Sequence, residues 1–264
     1  MIKNLTLYHK KQVLDFCYKR EKENLFVIGS FSNYKNTFEE NKFLGFFENN
    51  NLVGIGVLFQ RFGNYVINAD SEELTKKLLD YAVKNNFQIN HIAAFKKYTS
   101  IMVERLQNIH NKKFKIFRDE TVFILDKKNF KNFSKGNEKI ATAKNIDELV
   151  IFTTGKKCQE ITEKDRKTIF PFQEFIIKKY GKIISKANTH GISKNYFQIG
   201  GVGTLEKYRN QGYAKQVVSK ICDYYFAKGI KYGLLFTANN NLPALKLYKK
   251  IGFEPVDEFA IAEF

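Results

Sequence analysis

Residues 208 to 216 read YRNQGYAKQ, with Arg209 three positions before a lone glycine, Gly212, and a second small residue, Ala214, two positions beyond it. At the start of a helix such a stretch can bind a phosphate through its main chain. The first amides of a helix have no intrahelical acceptor and coincide with the positive end of its dipole. Small residues at 212 and 214 keep side chains away from the anion, while Arg209 and Lys215 add charge at the rim. The stretch is not a dinucleotide GxGxxG, because Gly200, Gly201 and Gly203 fall within or at the end of a strand, and no GK[ST] follows as a P-loop requires. Alone, RxxGxA also reads as a polar turn running into a helix.

A second constellation lies immediately beyond the apolar run YGLLFTA. Residues 241 to 253, NLPALKLYKKIGF, fit NxxAxxLYxxxGF and begin 29 positions after Gly212. Taken singly, Asn241 reads as an N-cap and Leu247 and Tyr248 as core positions on a helical stripe. Together, in this order and at this spacing, the two motifs resemble the GCN5-related N-acetyltransferase (GNAT) family, over about residues 140 to 264 and most specifically over 196 to 253.

The resemblance implies an acetyl-coenzyme A-dependent N-acetyltransferase that moves an acetyl group directly from the thioester to a primary amine on a small molecule or a protein, without a metal. It implies that GGVGT is the strand that parts from its neighbour and lines the pantetheine arm, with Val202, Gly203 and Thr204 along it. The main chain of Asn210, Gln211, Gly212, Tyr213, Ala214 and Lys215 would then cradle the diphosphate, with Arg209 opening that motif. Asn241 would contact the cofactor, and Tyr248 would lie near the thioester sulfur and protonate the departing thiolate.

Acetyl transfer also needs a neutral amine and a donor that polarises the carbonyl. The base candidates are Glu160, Glu163, Asp165, Glu174, His190 and Glu206, and no family motif selects among them. A lone histidine on a strand reads first as a structural hydrogen-bonding group, and a water relay is an alternative base.

The elements that must position these groups are legible from periodicity. Residues 212 to 228 place Val217, Val218, Ile221, Cys222, Tyr225 and Phe226 at helical spacing, with Gly229 as a C′ residue. Ala244, Leu245, Tyr248 and Ile251 form a second stripe that stops at Gly252. Before them, AKNIDELVIFTTGKK reads as a helix, and FQEFIIKKYGKIISKANTHGISKNYFQIGGVGT reads as three strands with turns at 180 to 182 and 193 to 195. YGLLFTA and FAIAEF read as later strands.

The first half repeats this order, from the helix HKKQVLDFCYKREKE through strands around an Asn-rich turn to a helix with Ser71 as N-cap. The expectation is an α/β chain with α+β mixed sheets. Two GNAT-like domains follow, each a mostly antiparallel mixed sheet flanked by helices: a degenerate 1–130, a linker 131–139 and an acetyl-coenzyme A-binding 140–264. In the first half NADSEELTKK replaces the RxxGxA stretch, and Asp70, Glu72 and Glu73 would repel a diphosphate.

The 264 residues, at 44% hydrophobic and 15% aromatic, exclude a disordered or collagen-like chain. No apolar run reaches the roughly 18 residues a membrane span needs, so the expected location is the cytoplasm. Cys17, Cys158 and Cys222 are widely spaced, which argues against a disulfide framework or a cysteine zinc site. A formal charge of +17, from 44 Lys and Arg against 27 Asp and Glu, is spread along the chain. Nucleic acid is therefore a partner that charge permits without favouring. Two alternatives share the fold: an aminoacyl-tRNA-dependent transferase of the Fem type, and a non-enzymatic regulator that binds a ligand or nucleic acid.

Overall fold

The computed structural model describes residues 1–169 and 172–264. Its elements run in two successions of the same order, save for one additional short helix, α3, in the first. The first is β1 (Ile2–Asn4), α1 (Lys10–Lys19), α2 (Leu25–Asn33), α3 (Thr37–Glu40), β2 (Lys42–Glu48), β3 (Asn51–Phe59), β4 (Asn64–Ala69), α4 (Glu72–Lys84), β5 (His91–Phe95), α5 (Lys96–Asn108) and β6 (Ile116–Asp126). The second is β7 (Glu138–Ile140), α6 (Ile146–Thr154), α7 (Glu163–Ile169), β8 (Gln173–Lys179), β9 (Lys182–Ile192), β10 (Tyr196–Thr204), α8 (Tyr213–Ala227), β11 (Tyr232–Ala238), α9 (Leu242–Ile251) and β12 (Glu254–Glu263). The duplicated α/β order expected from periodicity is thus present. Helices α2 and α7 were not expected; the apolar run LFVIGS of α2 is buried on several sides and shows no amphipathic stripe.

The turns form where the residue types allow. Asn49 and Asn50 have φ of 46° and 63°, so the Asn-rich β2–β3 turn uses the left-handed conformation that asparagine tolerates. Gly155, Gly229 and Gly252 end three helices at positive φ.

The chain forms two compact units. The first holds residues 1–122 with 236–241 and 255–264, and the second holds 123–235 with 242–254. In the first unit the strand order is β1-β2-β3-β4-β5-β12. Successive pairs are antiparallel up to β4, β4 and β5 are parallel, and β12 pairs antiparallel with β5 from Phe259↔Phe95 to Glu263↔His91. The last strand of the chain therefore belongs to the unit built mostly from the first half, whereas the sequence reading placed 140–264 together. Phe259 explains the attachment within that unit, stacking on Phe236 at 4.1 Å and meeting Phe95 edge-on at 6.0 Å.

In the second unit β7-β8-β9-β10 are antiparallel neighbours and β10 pairs in parallel with β11. The six helical positions from Val217 to Phe226 are all buried in one core with Phe175, Ile177, Ala187, Phe197 and Ile199 of the sheet. Each such side chain contributes about 1.5–3 kcal/mol by leaving water. Leu149 and Val150 of α6 pack with Ile169, Ile176 and Ile183 in a second cluster. Residues 131–139, read as a linker, lie on this unit: Phe133 packs on the core, and the Lys131 N–H donates to the Ile251 carbonyl at 2.9 Å. The Glu138 carboxylate accepts from Ser134 Oγ and from the Lys135 and Gly136 amides, which fixes the turn.

Candidate functional site

The site is built at the end of β10. Its parallel pairing with β11 covers Tyr196–Gln198 against Tyr232–Leu234 and extends no further among the described residues, although β10 runs on to Thr204. On its other edge β10 pairs with β9, and the register shifts between Gly200 and Gly203. Gly201 takes φ of 57° in this bulge, a conformation costly to residues with a Cβ. Val202, Gly203 and Thr204 thus lie on a strand segment whose β11-facing edge has main-chain groups left for a ligand. Thr204 is held from behind, since its Oγ1 and the Gly203 carbonyl both meet Ser185 Oγ at 2.9 Å.

Beyond Thr204, the turn at Glu206–Tyr208 leads through Arg209 and Asn210 to α8. Arg209 Nε donates to the Thr204 carbonyl at 3.4 Å, and Gln211 Nε2 to the Lys207 carbonyl at 3.2 Å, so both side chains brace the loop. Asn210 and Gly212 adopt φ of 60° and 83°. Gly212 is the N-cap of α8 and supplies no side-chain cap, so the opening amides of the helix, at Tyr213, Ala214 and Lys215, retain their donors. A group of N–H donors at the positive end of a fifteen-residue helix suits an anion in geometry and in charge.

Positive charge surrounds this terminus. Lys215 Nζ lies 3.8 Å from the centre of the Phe133 ring, and Lys207 Nζ 5.1 Å from that of Tyr208. Lys179 Nζ donates to Tyr213 Oη at 3.3 Å, and that contact raises its pKa. Aromatic faces hold these ammonium groups.

The corresponding place in the first unit is closed. Ser71 caps α4 by accepting from the Leu74 amide at 3.2 Å, and Glu72 and Glu73 occupy its first turn. Arg20 donates to the Ala69 carbonyl at 3.1 Å and to Asp70 at 2.8 Å, so the groups at the end of β4 are already engaged.

Tyr248 sits on the buried face of α9, 5% exposed, with Phe123 and Phe253 rings at 6.3 and 5.9 Å. It is thus a core residue by packing. Asn241 is exposed in the turn after β11, where its N–H donates to the Ala238 carbonyl at 2.9 Å, and it belongs to the first unit.

The base candidates divide by their partners. Asp165 accepts from Lys156 Nζ at 2.7 Å and from Thr162, which hold its carboxyl down at about 2. Glu163 pairs with Arg166, and Glu160 accepts from the Lys157 amide. Glu206 is exposed on the turn before Arg209. Glu174 is buried and takes both its oxygens to Lys186 Nζ, at 3.0 and 3.1 Å. Burial, together with the nearby Lys186 charge, lowers the pKa of His190 to about 4, so its imidazole is neutral at pH 7. The ring stacks on Phe172 at 4.5 Å and lies against the main chain of Gly200, where a methyl group would come within 2.4 Å of it.

Lys186 and Asn188, which complete this buried cluster, were missed from the sequence. Their signal was the spacing 186, 188, 190, which puts three polar side chains on one face of a strand. Among the described residues there is no cluster of three or more metal-ligating side chains and no helix long and apolar enough to cross a membrane.

Residues 146–253 match the model of the Acetyltransferase (GNAT) family. No curated protein matches the chain. Among solved structures, a GNAT acetyltransferase from Colwellia psychrerythraea is 17% identical with a TM-score of 0.56, covering 100% of this chain and 99% of that one. A GCN5-related N-acetyltransferase from Sphaerobacter thermophilus is 12% identical with a TM-score of 0.56, over 100% and 95%. A tandem GNAT protein from the clavulanic acid biosynthesis pathway is 10% identical with a TM-score of 0.63, over 99% and 97%. At these identities the structures speak for the fold, which is that of a tandem GNAT protein over nearly the whole chain. Both motifs and the uncapped helix fall within residues 146–253, the stretch that matches the GNAT family.

Proposed function

We propose that the protein is an acetyl-coenzyme A-dependent N-acetyltransferase acting in the cytoplasm on a primary amine of a small molecule or a protein. The observation that carries this reading is the uncapped N-terminus of α8 beyond the β10 segment that has left its pairing with β11. In the reading, the amides of residues 210 to 215 and the charges of Arg209 and Lys215 hold the diphosphate. The free edge at Val202, Gly203 and Thr204 holds the pantetheine arm. When bound, the thioester supplies an activated acetyl carbon.

The residues of the chain then have separable tasks. Main-chain N–H groups at the β10 bulge polarise the thioester carbonyl. The amine nitrogen forms a bond to the acetyl carbon as the carbon–sulfur bond breaks. Tyr248 Oη gives its proton to the departing sulfur, and the proton lost by the nitrogen passes through water. Asp165 and Glu174, tied to lysines, do not serve as the base in this reading, and neutral His190 is too weakly basic to hold a proton at pH 7. The first unit binds no cofactor, because Ser71, Glu72 and Glu73 close the terminus of α4.

Calorimetric titration with acetyl-coenzyme A, followed by thiol release on addition of amines, tests the reading. Saturable binding and amine-dependent thiol release are expected. Absence of binding, together with RNA retention that weakens steeply with salt, would favour the aminoacyl-tRNA-dependent alternative instead.

A further inference from the structure

Asn188 stands between Lys186 and His190 on β9, and strand alternation turns all three to the face that carries Ile176 and Ile183 under α6. Its side chain is buried, at 5% exposure. On β8, Glu174 lies directly opposite and accepts from Asn188 Nδ2 at 2.8 Å. Because that carboxylate is itself fixed by Lys186 and can only accept, it sets the sense of the Asn188 amide. The nitrogen must face Glu174, and Oδ1 is left on the other side. Oδ1 is fully buried and has no hydrogen-bond partner among the described residues. Such an orphaned acceptor is uncommon in a folded protein and calls for a missing donor.

The bulge of β10 shows where that donor would arrive. Gly201 is exposed, and a methyl group there would come within 2.8 Å of Asn188 Nδ2 and 3.1 Å of Oδ1. The Asn188 amide therefore fills the space that any side chain at 201 would take, beside an open stretch of main chain. The same strand holds a second buried acceptor without a partner among the described residues, Gln198 Oε1.

We propose that Asn188 is an acceptor-binding residue whose Oδ1 receives an N–H of the primary amine at the β10 bulge, with Glu174 and Lys186 holding the amide in that orientation. This rests on the acetyl-transfer reading of the site. A neutral primary amine has two N–H groups and one lone pair. Donating one N–H to Oδ1 leaves the lone pair free to be aimed at the acetyl carbon, and the second N–H supplies the proton that is lost. An amide N–H in the cofactor's own pantetheine arm has the same donor chemistry and is the competing source.

The full chain, labelled with ¹⁵N, distinguishes the two. The Asn188 side-chain NH₂ signal is identified by its loss in Asn188→Leu, whose remaining spectrum also reports whether the variant is folded. Coenzyme A is added first, then n-butylamine at a pH where part of it is neutral. Expected is a small response of that signal to coenzyme A and a saturable shift with the amine; followed on the backbone amide signals of β9 and β10, which the variants keep, the apparent amine affinity falls about tenfold in Asn188→Leu, as loss of one hydrogen bond implies. Asn188→Asp, which keeps an oxygen acceptor but cannot donate to Glu174, is expected to retain the amine response. Affinity for acetyl-coenzyme A stays within about twofold in both variants. A signal moved by coenzyme A alone, no response to the amine, or equal loss of the response in the Leu and Asp variants would overturn the proposal. If the unaltered protein binds no acetyl-coenzyme A at all, it is the underlying reading that fails.

Discussion

Two side chains carry the sharpest consequences of the site. Tyr248 is packed as a core residue, with its ring against those of Phe123 and Phe253, contacts that a phenylalanine would keep. Tyr248→Phe is therefore expected to fold normally and to bind acetyl-coenzyme A with unchanged affinity, while turnover falls by about 10²-fold or more, as for loss of a general acid. Steady-state kinetics beside a binding titration separate the two; equal loss of both would assign Tyr248 to packing alone. His190 makes a prediction about pH. Its folded pKa of about 4 lies below the ordinary value of 6.5, so the unfolded chain takes up a proton first as the pH falls. Its contribution to stability is complete above pH 6.5 and is lost on descent towards 4. From pH 7 to 5 the protein should lose about 2 kcal/mol that His190→Gln retains, at 1.36 kcal/mol per pH unit below 6.5. Urea unfolding at the two pH values measures the difference, and parallel losses in both proteins would contradict the assigned burial.

At the scale of elements, the uncapped N-terminus of α8 is a cost to the isolated helix. Ser71 shows the ordinary remedy in α4. Gly212 both omits the cap and turns the chain at φ of 83°, with only Gln216 Nε2 as near as 4.0 Å to where a Cβ would stand. Gly212→Val therefore meets no internal clash and is strained only in its backbone, by about 1–2 kcal/mol. It should lower the melting temperature by a few degrees and remove measurable binding of acetyl-coenzyme A, because the new side chain covers the amides. Calorimetry and thermal melting read the two effects separately. Unchanged binding would sink the cradle assignment.

For the whole molecule, the notable feature is which strands complete which unit. β12 closes the first unit through five residue pairs with β5 and through Phe259, Ala260 and Ala262, all buried. Ending the chain after Phe253 should thus raise amide exchange in residues 91–95 of β5 and leave the β8–β9 pairing protected, which hydrogen exchange with mass spectrometry resolves. Protection of β5 equal to that of the full chain would refute the role of β12. Stoichiometry tests the closure of the first unit: titration should give one acetyl-coenzyme A per chain, and two would show that Ser71 and Glu72 do not exclude it.

Much of this was written in the sequence, because periodicity and turn chemistry are local. The stripes from Val217 to Phe226 and from Ala244 to Ile251, the glycines at 229 and 252, the Ser71 cap and the left-handed asparagines at 49 and 50 all follow from residues within a turn or two of one another. The loop from Arg209 to Lys215 was legible for the same reason. What only the tertiary structure decided is non-local. A strand pattern such as FAIAEF declares that it will pair but not with what, since backbone donors and acceptors are alike in every strand; β5 was chosen by register and by the phenylalanines stacked around it. Asn188 likewise reads as one polar residue among many until the bulge at Gly201 and the carboxylate of Glu174, brought together from three strands, orient its amide and leave its oxygen without a partner.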